Sequence, residues 1–147
     1  GSMNRASWDA HMESNLRAPL ILAQAFARRL PADRQGLIVN ILDQRVFRPV
    51  PEFFSYSLSK SALWDATRML AQALAPRIRV NGIGPGPTLQ SIHQEPDDFA
   101  AEAASTLLRR SVDLAEIAAA LSYLIDAGAV TGQMIAVDAG QHLAPRP

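Results

Sequence analysis

The sequence predicts an α/β fold built on a small parallel sheet of three strands with flanking helices. Short continuous apolar runs at 36–41, 78–83 and 134–137 suit strands buried on both faces, as parallel strands are. Around and between them lie segments whose apolar residues recur at intervals of three and four, long enough for right-handed crossover helices. The composition, 48% apolar and 19% charged over 147 residues, supplies a core for one domain and excludes wholesale disorder.

Each element has its own signal. Ser7 to Leu30 reads as a helix, capped by Ser7 or Asp9, kinked at Pro19 and stopped by Pro31. Gly36 to Ile41 is the first strand, and residues 42–54, with Pro49 and Pro51, read as loop. A second long helix is predicted from about Ser55 to Ala75, with Leu63, Ala66, Leu70 and Leu74 on its buried stripe and Pro76 at its end. Ile78 to Ile83 is the second strand, followed by the breaker-rich Gly84-Pro85-Gly86-Pro87. A short helix is expected over 97–105. Another begins at Asp113, where Glu116 completes a capping-box-like pair, and ends near Gly128. Met134 to Val137 is the last strand, and the residues after His142 read as a loose tail, with 144–147 outside the domain. Gly1-Ser2-Met3 reads as a tag remnant and is set aside, which leaves a domain over 4–143.

Composition also removes function classes. Fourteen basic residues balance fourteen acidic ones, so there is no general electrostatic case for nucleic acid or an anionic membrane. The absence of cysteine excludes disulfides, thiolate metal sites and thiol catalysis. His11, His93 and His142 are scattered without metal-ligand spacing, so no metal site is expected and each reads as a surface residue. No apolar run reaches membrane-spanning length and no secretory leader is visible at the start, so a cytoplasmic location is expected.

Chemistry concentrates in Tyr56-Ser57-Leu58-Ser59-Lys60. Positions i and i+4 share a helical face, so phenol and ammonium can enter one cleft. At ~5 Å and an effective dielectric of ~20 their attraction is worth ~3 kcal/mol, or roughly two pKa units, so Lys60 is expected to lower the pKa of Tyr56. Asp43 lies thirteen residues earlier, just past the first strand. Ligands of open α/β sheets bind beyond the carboxyl ends of strands. The loop from Asn81 to Thr88 opens at that end too, and its glycines would allow close approach of a flat ligand. Ser57 and Lys60 also fit S-x-x-K, but the S-D-N and K-T-G tripeptides that acyl-transfer chemistry needs are absent.

These motifs resemble the short-chain dehydrogenase/reductase family over nearly all of residues 7–143. Asn15 in "MESNLRAPL" is similar to the family's helix asparagine. "GLIVNILD" resembles the strand that ends in the catalytic serine, with Asp43 in the serine's place. Tyr56 and Lys60 match the YxxxK pair, "RVNGIGPGPT" the strand and turn that touch the nicotinamide, and "VTGQMIAVDAGQHL" the last strand, with Ala139 where a second Gly is usual. The resemblance implies the C-terminal part of a Rossmann-like doubly wound parallel sheet and an NADP-dependent reductase of carbonyls or pterins. Tyr56 would be its proton donor, with Lys60 assisting and holding the ribose and Asn15 anchoring a relay water. Pro85, Gly86 and Thr88 would contact the nicotinamide, and Asp43, His93 and Phe99 would face substrate.

An Asp at position 43 resembles the pteridine and dihydromonapterin reductase branch. Its charge would oppose Lys60 at the phenol, so the pair must share a proton or keep Asp43 protonated. The N-terminal nucleotide-binding half of the fold is not found: no G-x-G-x-x-G turn lies between a strand and a helix. By resemblance about four strands and three helices are missing, roughly 100 residues with loops. The chain alone is therefore expected to be inactive and not to bind NADP tightly. A homodimer or homotetramer through the two long helices is expected. The alternative is a non-catalytic module that self-associates or binds a partner.

Overall fold

The computed structural model describes residues 4–92 and 94–145. Its elements in order are α1 (Arg5–Met12), a π-helical turn (Glu13–Arg17), α2 (Ala18–Arg29), β1 (Gly36–Ile41), a 3₁₀ turn (Gln44–Val46), α3 (Phe54–Leu74), β2 (Ile78–Pro85), α4 (Pro96–Ser105), α5 (Leu114–Asp126), β3 (Met134–Val137) and a 3₁₀ turn (Gln141–Leu143). The three strands form one parallel sheet in the order β1-β2-β3, with Gly36 opposite Ile78 and Gly82 opposite Met134.

The first long helix departs from expectation. Asn4 caps it, accepting from the Ser7 amide at 2.8 Å, rather than Ser7 or Asp9. The interruption falls upstream of Pro19. Proline has no amide hydrogen, so the Asn15 carbonyl loses its helical i+4 donor. The backbone widens into a π turn over 13–17, where the Ala18 amide donates to the Glu13 carbonyl, and Pro19 then sits in the first turn of α2.

Helices cover both faces of the sheet. Ile78 and Val80 on one face of β2 pack with Ala71 of α3, flanked by Ala27 of α2 and Leu30 just past its end. On the other face Arg79 reaches α5, donating to the carbonyls of Leu124 at 2.9 Å, Ile125 at 3.0 Å, Ala127 at 3.1 Å and Val130 at 3.1 Å. The carbonyls of Leu124 and Ile125 have no partner within the finished helix, those of Ala127 and Val130 follow it, and a cation there also suits the helix dipole. Arg79→Ala is expected to lower unfolding free energy by about 1–3 kcal/mol in urea titrations, because it strips several half-buried acceptors at once. The start of α5 matches its sequence signal: Asp113 and Glu116 form the capping box.

Two further features frame the site. Among the described residues β1 pairs with β2 only, and its other edge and α2 wall a groove of about 430 Å³ lined by Leu22, Phe26, Leu37, Val39 and Ile41. The chain also stays ordered past His142. Ala144 is buried and its carbonyl accepts from Arg48 at 2.5 Å, so the fold holds beyond the point where the sequence reads as tail.

Candidate active site

The site is assembled where β1 ends. Leu42 is buried, and its amide donates to the Ile83 carbonyl at 2.7 Å, which extends the pairing by one residue. The chain then turns, and Asp43 caps the 3₁₀ turn by accepting from the Arg45 amide at 2.8 Å through Oδ1. That bond fixes the carboxylate and leaves Oδ2 pointing at α3. The Tyr56 hydroxyl donates to it at 2.7 Å. Residues 43 and 56 come from separate elements and meet in one short hydrogen bond.

Lys60 lies one helical turn beyond Tyr56. Its Nζ donates to the Ile41 carbonyl at 2.9 Å and stands 5.8 Å from the Tyr56 ring centre. Asn15, in the π turn, donates through Nδ2 to Ser59 Oγ at 3.0 Å, and Ser59 donates to the Tyr56 carbonyl at 2.7 Å. His11, one turn before Asn15, places Nδ1 2.8 Å from Ser55 Oγ and sets its ring edge-on to Tyr56 at 5.8 Å. Thus Asn15, Asp43, Tyr56 and Lys60 are brought together as expected, and His11 and Ser59 join them.

The electrostatics correct one expectation. The Tyr56 phenol is pushed well above its ordinary value, first by burial, then by the Asp43 charge and hydrogen bond, with Arg45 opposing. Lys60 does not lower it. The ammonium is turned to the Ile41 carbonyl, and burial lowers its own pKa against a smaller opposing effect of Asp43. A shared helical face brings the two side chains near each other, but the carboxylate in direct contact with the hydroxyl decides the phenol's titration.

The glycines also have a packing role. A Cβ on Gly86 would lie 2.6 Å from Asp138 Cα, and one on Gly84 would meet Met134 Sδ at 2.9 Å. The backbone of Asp138 therefore requires glycine at 86 independently of any ligand, whereas at 84 the flexible Met134 side chain can give way. Pro85, Gly86 and Thr88 do lie at the end of β2, on the same edge of the sheet as Asp43. Thr88 Oγ1 donates to the Gly86 carbonyl at 3.0 Å. Phe99 lies half-buried in α4, with no ring contact to Tyr56 among the described residues. His93 falls outside the described residues. Ser57, the candidate of the S-x-x-K pattern, donates to the Glu52 carbonyl at 3.2 Å while Lys60 is engaged with Ile41, so that pair is not assembled.

His11 carried a signal that the sequence reading passed over: its i, i+4 relation to Asn15 puts both on one helix face. Ala139 adopts a φ of 52°, the left-handed region that favours glycine, which accounts for the Gly expected there by resemblance.

Comparisons with known proteins agree with this geometry. A family model described as Enoyl-(Acyl carrier protein) reductase matches residues 1–142. L-xylo-3-hexulose reductase of Hypocrea jecorina is 36% identical over 123 residues, covering 84% of this chain and 38% of that protein. Dihydromonapterin reductase of Escherichia coli is 28% identical over 134 residues, covering 90% and 56%. A crystal structure of FolM alternative dihydrofolate reductase 1 from Brucella suis, in complex with NADP, superposes with a TM-score of 0.96 at 52% identity, covering all of this chain and 60% of that one. The chain thus spans between about two-fifths and three-fifths of these relatives. With the family match running over almost the whole sequence, and the Tyr56–Lys60 helix set against a parallel sheet, the chain belongs to the short-chain dehydrogenase/reductase family.

Proposed function

We propose that this chain is the proton-delivering, substrate-facing part of an NADP-dependent reductase that acts on a reduced pterin. The observation that carries the reading is the 2.7 Å hydrogen bond from Tyr56 to Asp43. The phenol carries its proton at neutral pH, as a donor must, and its hydrogen is held in a defined direction by Asp43. Burial and the adjacent carboxylate oppose the phenolate that donation leaves behind, so the proton must be replaced as it departs. Asp43 keeps the phenol's hydrogen oriented and, on taking up a proton from solvent, passes it to the phenolate that Tyr56 becomes. Asn15 positions the Tyr56 turn through Ser59. The name of the Brucella suis relative, at 52% identity against 36% for the hexulose reductase, supports the pterin class over a simple sugar.

The residues present fit one end of the dinucleotide. Lys60 spends one of its three N–H donors on Ile41, which leaves two for ribose hydroxyls, and Tyr56 stands beside it. When bound, the nicotinamide supplies a hydride. The pyrophosphate end finds no Gly-rich turn at a helix N-terminus in this sequence. NADPH titrated into the chain by itself in a calorimeter is therefore expected to show no micromolar binding, and a micromolar dissociation constant would contradict the reading.

The activity test supplies the remainder of the fold. A chimera joins this chain to the part of the Brucella suis relative that it does not span, and NADPH oxidation is followed with dihydropterins. Turnover supports the reading, and a folded, NADPH-binding chimera with no turnover on any dihydropterin defeats it. Association through α2 and α3 is proposed on Leu22 and Met69, which are 69% and 68% exposed on those helices.

A further inference from the structure

We propose that the cavity lined by Arg45 and Phe53, two residues past Asp43 and three before Tyr56, holds the tail of the substrate, and that this tail is an aryl group ending in a carboxylate, stacked on Phe53 and paired with Arg45. The inference rests on the reduced-pterin reading above and selects between two kinds of pterin. Dihydrofolate, the substrate in the Brucella suis relative's name, carries an aminobenzoyl-glutamate tail. Dihydromonapterin, in the E. coli relative's name, carries a short neutral polyol.

The cavity, of about 720 Å³, is lined by the residues that follow Asp43 and those that lead into the Tyr56 helix, among them Gln44, Arg45, Arg48 and Phe53. Phe53 sits in the left-handed region, φ 53° and ψ 47°, an uncommon conformation for a bulky aromatic residue. Burial does not offset that strain, because Phe53 is 69% exposed. Strain held at an exposed aromatic three residues before Tyr56 points to use of the ring. The Arg45 guanidinium lies 4.9 Å from the Phe53 ring centre, on one face. The exposure of Phe53 leaves area for a second flat group.

The other charges around this cavity are committed or solvated. Arg48 donates to the carbonyls of Gln141 and Ala144. Glu102 accepts from Gln94 and Gln141, both at 2.9 Å. Glu52 is exposed to solvent. Arg45 is half-buried, and among the described residues no carboxylate reaches ion-pair distance of its guanidinium. Its backbone amide is bonded to Asp43, so this cation is rooted in the same turn as the reactive carboxylate, and its charge is felt at Tyr56. A planar guanidinium with free N–H groups suits a carboxylate. An aromatic platform beside it selects an aryl linker over a polyol.

The test uses the chain as it stands and p-aminobenzoyl-L-glutamate as probe, followed by the amide resonances of Arg45 and Phe53. Saturable shifts at both positions are expected. Arg45→Ala should weaken binding about tenfold, since a charge-assisted pair is lost. Phe53→Asn, which tolerates the left-handed backbone, should weaken it too. Absence of saturable shifts, unchanged affinity in Arg45→Ala, or equal binding of a neutral polyol probe would overturn the subsite. In the chimera, unchanged KM for dihydrofolate in Arg45→Ala would sink the tail subsite and leave proton delivery standing. Probe binding without any turnover would do the opposite.

Discussion

Tyr56→Phe is expected to lower kcat of the completed reductase by about 10²–10⁴, the usual contribution of a positioned general acid. The substitution is a sparing one. The ring stays in place against His11, and the only side-chain hydrogen bond lost is the one to Asp43. Asp43 keeps its second anchor, the Arg45 amide. The proton is needed only as the transition state forms, so kcat and kcat/KM should fall together while KM for the pterin changes little. Steady-state NADPH oxidation in the chimera measures both, and a Phe variant within a few-fold of the parent would remove Tyr56 from the chemistry.

Asp43→Asn is the second large change, and its signature is in pH. The carboxylate holds the Tyr56 phenol up through its charge and its hydrogen bond, and burial adds to both. Asparagine removes the charge, so the phenolate forms at lower pH and the basic limb of the kcat profile moves down. One amide oxygen must also serve two donors, the Tyr56 hydroxyl and the Arg45 amide, that the carboxylate serves with two oxygens. A fall in kcat of about tenfold or more is expected at neutral pH, with the proton-returning group gone. A variant whose basic limb stays in place would show that Asp43 does not govern the phenol.

Much of this arrangement is readable from local residues. The strand runs at 36–41 and 78–83, the Asp113–Glu116 cap and the stop at Pro76 are local signals that the structure follows, although β2 runs on through Gly84 to Pro85, where the sequence predicts a loop. The meeting of Asp43 with Tyr56 follows from a rule of sheet topology, because loops after parallel strands open on one edge. What escaped is whatever depends on a side chain's choice among distant partners. The spacing of Tyr56 and Lys60 brings phenol and ammonium near each other, yet the ammonium prefers the Ile41 carbonyl, a group on another element. Pro19 announces an interruption but not that the helix widens one turn earlier. Gly86 reads as room for a ligand, and the chain's own packing against the Asp138 backbone is a second reason for glycine there that only the fold reveals.

Phenolate formation at Tyr56 is the most direct test of the proton-donor account. The chain has two tyrosines, so a Tyr123→Phe variant leaves Tyr56 as its sole phenol, and near-ultraviolet absorbance reports its ionisation. The folded pKa lies above the unfolded reference of 10.0, so any stability linked to this group is intact below that pH and is lost as pH rises past it. The account predicts no phenolate up to pH 10 in the folded variant, and an earlier onset once Asp43→Asn is added. A folded Tyr56 that ionises below pH 10 with Asp43 intact would contradict it.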